Sequence, residues 1–172
     1  MTHAGYSQPQ VDVTALVCVY NGMPELADVL QGLAEQQTEG RFSYEALIVD
    51  NNSTDSSGAL ARDYAQRHPG VFRVLAEGRQ GKSYALNTGF EAARGRVCAV
   101  VDADHVVPSQ YLGTVWRTFC SHPEAAFVGG RVLPIWQGPA PGWLRREMWS
   151  PLAICDYGDS PRLVSQETLI CL

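Results

Sequence analysis

The sequence predicts an α/β fold of three layers, in which a mostly parallel sheet lies between layers of helices. Short apolar segments rich in β-branched residues alternate with amphipathic segments, in the order βαβαβαβαβ. Polar residues follow the second, third and fourth of these strands directly, at the point where each strand ends. With 172 residues, the chain is long enough for one domain with a substantial core.

The first part of the chain predicts two strand–helix units. Residues 13–20 indicate a strand, because they are apolar and rich in β-branched side chains. Residues 24–37 indicate an amphipathic helix, since four apolar residues recur at helical spacing: Leu26, Val29, Leu30 and Leu33. A second strand is predicted at 46–49, and a second helix over 55–68 ends before a Pro-Gly pair.

The next part predicts three more strands and two more helices. A strand at 71–76 precedes a glycine-bearing loop and a helix over 83–93. The fourth strand begins at Val97, and the fourth helix is predicted over 109–121. Residues 126–133 predict a fifth strand, which would complete the mostly parallel sheet.

The composition changes after this point. Prolines and glycines indicate irregular chain, interrupted by a short helix predicted over 143–149. We therefore divide the chain into a flexible tail at 1–10, a folded region at 11–135 and a less regular region at 136–172.

Composition and charge exclude several classes of protein. The net charge of −5 argues against binding to nucleic acid, because an acidic protein does not attract phosphates generally. The amino-terminal residues show no signal peptide, and no apolar run approaches the ~18 residues of a transmembrane segment. Five cysteines without metal-binding spacing favour a reducing, cytoplasmic location.

Two carboxylates follow the fourth predicted strand, one residue apart. Because residues i and i+2 of a strand project to the same face, Asp102 and Asp104 are expected to converge. Hard oxygen donors suit Mg²⁺ or Mn²⁺, which can share its remaining positions with phosphate oxygens. The other interpretations are two solvated aspartates in a surface loop, or an aspartate that caps the helix near Pro108.

Charged residues also follow the second and third strands. Asp50 can accept a hydrogen bond from a nucleobase, and Arg79 and Lys82 can neutralise phosphate. Because these strand ends share one edge of a parallel sheet with the paired aspartates, together they could hold a nucleoside diphosphate. A P-loop does not fit, since Ala76 stands where that motif requires glycine. A solvated turn whose Ser83 caps the helix is the alternative.

The ordered motifs resemble those of a family 2 glycosyltransferase with the GT-A fold, over roughly residues 11–135. The four segments that carry the resemblance are Val19-Tyr20-Asn21, the run from Val49 to Asp55, the run from Gly81 to Gly89, and Asp102-Ala103-Asp104. The resemblance implies that region 11–135 binds a nucleotide-diphosphate sugar, the donor.

The resemblance also implies a role for individual residues. Tyr20 and Asn21 would line the nucleotide pocket, and Asp50 would accept a hydrogen bond from the base. Lys82 would approach the diphosphate, and Asn87 would shape the pocket.

Towards the cation, the resemblance implies that Asp104 is the direct metal ligand and that Asp102 lies near the ribose or metal-bound water. His105 either touches the metal or phosphate or has a structural role. Asn52 and Asp55 would hold a turn and cap the second helix.

The chemistry implied by the family is sugar transfer with inversion and with Mg²⁺ or Mn²⁺ as cofactor. An acceptor hydroxyl attacks the anomeric carbon and the nucleoside diphosphate leaves, which requires a carboxylate as general base. The motif expected to supply that base is not found, so the catalytic residue is unknown and the chain looks truncated before it. The available carboxylates are Glu147, Asp156, Asp159 and Glu167. The alternative is a fragment that binds nucleotide sugar and metal without catalysis.

Region 136–172 would then be an incomplete acceptor-side region. Trp136, Trp143 and Trp149 with Arg145 and Arg146 could contact a saccharide or a lipid-linked acceptor. Trp143, Met148 and Trp149 could instead pack an amphipathic helix against the sheet. The same tryptophans and arginines also allow peripheral contact with the inner face of the membrane.

Overall fold

The computed structural model describes residues 10–149, 152–156, 158 and 160. The chain forms two compact units, the first ending at Ala126 and the second beginning at Phe127. Residues 1–9 of the predicted tail, the carboxylates Asp159 and Glu167 and most of 156–172 lie outside the described residues.

The first unit is a parallel sheet with helices on both faces, as the sequence predicts. Its four strands have the order β3-β2-β1-β4, and every neighbouring pair is parallel. In chain order the elements are β1 (Val11–Val19), α1 (Leu26–Ala34), β2 (Tyr44–Asp50), α2 (Ser57–Arg67), β3 (Phe72–Ala76), α3 (Lys82–Ala92), β4 (Gly95–Asp102) and α4 (Tyr111–Ser121).

The larger core lies between one face of the sheet and three helices. Alternate residues of β1 project to this face and are fully buried, among them Val13 and Val17. They pack against the apolar stripe of α1, against Tyr64 of α2 and against Leu112 of α4. This core fixes the carboxyl ends of β1 and β4 side by side.

Helix α3 covers the opposite face. Its contact with the sheet is made by the small residues Ala85 and Gly89, which are buried against Leu16 and its neighbours. A Cβ at position 89 would overlap the side chain of Leu16, so glycine permits this close approach. The helix therefore lies directly on the sheet, with its first residue, Lys82, near the carboxyl ends of the strands.

A network of hydrogen bonds closes the amino-terminal edge of the sheet. Glu45 is only 2% exposed, and its carboxylate accepts hydrogen bonds from Thr14 Oγ1 at 2.8 Å and from the backbone N–H of Arg94 at 2.8 Å. Arg73 donates to its second oxygen at 2.6 Å. The network joins the first three strands to the turn between α3 and β4.

Two sequence predictions for the second unit are wrong. No strand forms at 126–133 within the described residues; Val132 and Cys155 form only an isolated antiparallel bridge. Gly129 and Gly130 interrupt this segment, and glycine weakens a strand because it offers no side chain to pack. The helix predicted over 143–149 is a 3₁₀ turn, Arg146–Met148, because so short a segment between prolines cannot support an α-helix alone.

None of the helices in the described part of the chain has the length and apolar character needed to cross a membrane.

Candidate active site

A cleft of about 730 Å³ opens at the carboxyl-terminal edge of the sheet. Three segments line it. Residues 18–22 end and follow β1, residues 80–82 precede and begin α3, and residues 102–104 end and follow β4. The lining is completed by Glu25, Asn51 and Ala85. The cleft therefore lies where parallel α/β sheets generally bind ligands.

Five of the residues that the sequence singles out meet in this cleft: Tyr20, Asn21, Lys82, Asp102 and Asp104. Three others, Asp50, Arg79 and Asn87, are not among its lining residues. Tyr20 is 53% exposed, so its aromatic ring is accessible to a ligand in the cleft.

The acidic pair forms part of a cluster of three potential metal ligands. Asp102, Asp104 and His105 each offer one ligand atom, and these atoms lie within 4.8 Å of one another. The backbone N–H of His105 donates to the carbonyl of Asp102 at 3.1 Å, so a turn brings the three side chains together. Two carboxylates and one imidazole form a donor set that fits a divalent cation.

Lys82 contributes a positive charge beside this cluster. Its Nζ donates to Asp102 Oδ1 at 2.6 Å, and the two side chains are 63% and 43% exposed. The pair is open to solvent, so a ligand can reach both partners. Cys18 lies beside Asp102 on the neighbouring strand, and burial raises the pKa of its thiol to about 11, which keeps the thiol neutral.

Asn51 fixes the loop that leads to Lys82. It is 3% exposed, and its Nδ2 donates to the carbonyls of Glu77 at 2.9 Å and Arg79 at 2.7 Å. Its Oδ1 accepts from the backbone N–H of Gly81 at 2.8 Å. No role for Asn51 follows from the sequence motifs, although an amide directly after a buried strand is a signal of such a role.

Arg79 supports the same loop from outside the cleft. Its Nη2 and Nε donate to the carboxylate of Glu77 at 2.8 and 3.0 Å, and its guanidinium lies 4.7 Å from the centre of the Tyr84 ring. The Arg79 guanidinium, followed by the Thr88 hydroxyl, holds the pKa of Glu77 far below its usual range. Arg79 therefore lies against Glu77 rather than among the phosphate-facing residues where the sequence predicts it.

Asp50 is turned away from the cleft into the loop between β2 and α2. Its Oδ1 accepts from the backbone N–H of Ser53 at 3.0 Å. Its other oxygen occupies the space in which a side chain at Gly58 would lie, so any larger residue at that position would have to displace this carboxylate. In this position the carboxylate holds the turn that begins α2.

Asn21 joins this loop to the cleft. Its Oδ1 accepts from the backbone N–H groups of Thr54 at 2.8 Å and Asp55 at 3.2 Å. Asp55 in turn accepts from the N–H of Ser57 at 2.9 Å, which confirms its expected role at the start of the helix. Hydrogen bonds from Ser57 lower the pKa of Asp55, so this anchor stays ionised.

Similar proteins of known class are glycosyltransferases. Dolichyl-phosphate beta-glucosyltransferase ALG5D of Trichomonas vaginalis is 28% identical over 137 residues, which are 74% of this chain and 42% of that protein. Glycosyltransferase AglE of Haloferax volcanii is 30% identical over 120 residues, 70% of this chain and 39% of that protein. The chain thus spans about two fifths of the length of these relatives.

Solved structures with a similar fold include a mannosyltransferase. Mannosyltransferase PcManGT from Pyrobaculum calidifontis, in complex with GDP-Man and Mn²⁺, has a TM-score of 0.56 at 28% identity and covers 67% of this chain and 35% of its own. S. aureus TarS in complex with UDP-GlcNAc has a TM-score of 0.56 at 22% identity and covers 72% of this chain and 37% of its own. These neighbours establish the GT-A fold.

The family model described as Glycosyl transferase family 2 matches residues 14–163, and the chain accordingly belongs to that family.

Proposed function

We propose that this protein transfers a sugar from a nucleotide-diphosphate sugar to an acceptor hydroxyl, with inversion and with a divalent cation. The observation that carries the proposal is the meeting of an exposed aromatic ring, a lysine and paired carboxylates in one cleft. An aromatic face suits a nucleobase, and a cation suits the diphosphate, so a nucleotide sugar fits this combination of groups.

The diphosphate is expected at the start of α3. The first N–H groups of a helix have no partner within the helix and attract anions. Lys82 is the first residue of α3 and its Nζ points to Asp102, so its charge lies beside the cation cluster. A diphosphate placed there would accept hydrogen bonds from Lys82 and from the helix.

The base and ribose are expected on the β1 side of the cleft. Tyr20 and Asn21 follow β1, and the Asn21 side chain is held by two backbone N–H groups of the neighbouring loop. We propose that Tyr20 contacts the base. Asp50 would reach a base only if the loop between β2 and α2 changed its conformation, because its carboxylate is bonded within that loop.

The residues of the cluster fit the cation that the family implies. Asp104 and Asp102 would hold Mg²⁺ or Mn²⁺, with His105 beside them. When bound, such a cation neutralises the charge that develops on the departing diphosphate.

In the proposed reaction the acceptor oxygen forms a bond to the anomeric carbon while the bond from that carbon to the diphosphate breaks. The hydroxyl proton passes to a carboxylate that acts as general base. Glu25 is the one carboxylate among the described lining residues outside the cation cluster. The second candidate function is a module that binds nucleotide sugar and metal without transferring the sugar, because the motif expected to supply the general base is not found in the sequence.

The donor and acceptor classes are part of the proposal. PcManGT is described with GDP-Man, TarS with UDP-GlcNAc, and ALG5D as a dolichyl-phosphate glucosyltransferase. A saccharide or lipid-linked hydroxyl is therefore the proposed acceptor. We also propose a cytoplasmic location with access to the inner face of the membrane.

The test is a calorimetric titration of UDP, GDP and dTDP with and without Mn²⁺, followed by assays for hydrolysis and transfer of the matching sugar nucleotides. Binding with turnover supports the transferase, and binding without turnover supports the second candidate.

The same titration on Asp104→Ala should show a loss of at least about tenfold in Mn²⁺-dependent affinity, because a charge-assisted contact is lost. Asp63→Ala, which removes an exposed carboxylate of α2, is the matched control. Unchanged Mn²⁺-dependent affinity in Asp104→Ala would contradict the assignment of the cation site.

A further inference from the structure

We propose that His105 is the third protein ligand of the cation and that it makes the site bind Mn²⁺ more tightly than Mg²⁺. The proposal rests on the cation site of the proposed function and concerns which cation that site selects. It goes beyond the aspartate pair, which by itself does not discriminate strongly between the two ions.

The turn after β4 directs the imidazole towards the carboxylates. His105 lies three residues after Asp102, and its backbone N–H is bonded to the Asp102 carbonyl at 3.1 Å. Its Nε2 lies 3.9 Å from Asp102 Oδ2. This separation is too long for a hydrogen bond but lies below about 4.0–4.4 Å, the largest separation that two ligand atoms can have when both bond one cation at about 2.0–2.2 Å.

Lys82 leaves this side of the site open. Its Nζ is bonded to Asp102 Oδ1, whereas Oδ2 faces His105. The imidazole is 36% exposed, and its ring nitrogens make no hydrogen bond within the part of the chain that the structure describes. A ring nitrogen and a carboxylate oxygen are therefore both accessible beside Asp104.

Ligand chemistry connects this geometry with selectivity. Carboxylate oxygens serve Mg²⁺ and Mn²⁺ alike, whereas neutral imidazole binds transition-metal ions and contributes little to the binding of Mg²⁺. A site of two carboxylates and one imidazole should therefore favour Mn²⁺, and removal of the imidazole should lower the affinity for Mn²⁺ more than that for Mg²⁺.

The experiment uses the full chain, first without nucleotide and then with UDP. Mn²⁺ affinity is measured by electron paramagnetic resonance of the free ion, Mg²⁺ affinity by competition, and the coordination of bound Mn²⁺ by pulsed resonance, which detects a directly bonded ¹⁴N nucleus. The variants are His105→Gln, His105→Asp and the control His122→Gln, which removes an exposed imidazole at the end of α4.

In the wild-type protein and in His122→Gln we expect a ¹⁴N signal from bound Mn²⁺. In His105→Gln the signal should vanish and Mn²⁺ affinity should fall by roughly tenfold or more, since even indirect partners of metal ligands have effects of that size. Mg²⁺ affinity should change by less than about twofold. His105→Asp should retain cation binding but lose the preference for Mn²⁺, which shows that the site still folds.

Two outcomes would overturn the proposal. If Mn²⁺ binds and requires Asp104 but shows no ¹⁴N signal, or the same signal in His105→Gln, His105 is not a ligand and the proposed function stands. If neither the wild-type protein nor His105→Gln binds Mn²⁺ with or without UDP, the cation site itself is wrong, and the metal-dependent part of the proposed function fails with it.

Discussion

At the amino-terminal edge of the sheet the side chain of Glu45 is 3% exposed, whereas at the carboxyl-terminal edge that of Asp102 is 43% exposed. Glu45 accepts hydrogen bonds from a hydroxyl, a backbone N–H and a guanidinium, all supplied by its own fold. Asp102 has one ion pair, with an exposed lysine, and otherwise faces His105 and the cleft.

The difference separates a structural carboxylate from one that can bind a ligand. Both oxygens of the Glu45 carboxylate have hydrogen-bond donors within the fold, so its charge stabilises the contact between the strands that supply those donors. Where oxygens stay accessible beside a lysine and another carboxylate, a cation or a phosphate can complete the site. Substitutions at the two edges should therefore affect different measurements.

The largest expected effect is on stability, at the amino-terminal edge. Glu45→Ala removes the buried carboxylate that pairs with Arg73 and accepts from the Thr14 hydroxyl, so the free energy of unfolding should fall by about 3 kcal/mol. Urea denaturation measures it. Asp104→Ala, at the other edge, should change that free energy by less than about 0.5 kcal/mol. Similar losses in both variants would remove the distinction between the edges.

Asn51→Ala should produce a smaller effect, mainly on binding. The substitution removes three hydrogen bonds that hold the loop before Lys82, so the dissociation constant of a nucleoside diphosphate should rise by about tenfold. If Asn51 acts by positioning Lys82, the double variant with Lys82→Gln should bind little worse than Lys82→Gln alone.

Asn52→Gly serves as the control for Asn51, because glycine tolerates the positive φ of 68° at that position. This variant should retain wild-type affinity. Fully additive effects of Asn51→Ala and Lys82→Gln would contradict a positioning role for Asn51.

The smallest expected effect is a change in the pH dependence of stability. Hydrogen bonds from Arg79 and Thr88 hold the folded pKa of Glu77 below its ordinary value of 4.5. Its contribution is therefore fully present above pH 4.5 and is lost as the pH falls below that value. Between about pH 6 and pH 3.5, Glu77→Gln should lose less unfolding free energy than the wild-type protein. An identical pH dependence of the two proteins would show that Glu77 is not stabilised in its ionised form.

Local patterns predicted much of the fold. The four strands of the sheet and the four helices were found near their predicted positions, because each combines a clear period with turn residues at its ends. The prediction of a fifth strand at 126–133 was wrong. The apolar residues of this segment match the pattern of a strand, but two glycines interrupt it. A strand also needs a partner, which a local pattern does not supply.

Sequence predicts the position of a site residue correctly when that position depends only on where a strand ends or a helix begins. Asp102, Asp104 and Lys82 meet in the cleft because they stand at strand ends or helix starts on the same edge. Asp50 stands at the same edge, yet its side chain turns towards Gly58. Its rotamer depends on contacts with α2, the helix that follows it in the chain, and sequence spacing does not contain that information.

The most direct test of the central claim measures how Lys82→Gln binds a nucleoside and the matching nucleoside diphosphate in the presence of Mn²⁺. The control is Arg41→Gln, which removes an exposed cation from the loop before β2. If the carboxyl-terminal edge holds the diphosphate, Lys82→Gln should weaken nucleoside diphosphate binding by about tenfold or more. Its nucleoside binding should stay unchanged, and Arg41→Gln should match the wild-type protein. Equal affinity of Lys82→Gln and the wild-type protein for the diphosphate would contradict the account.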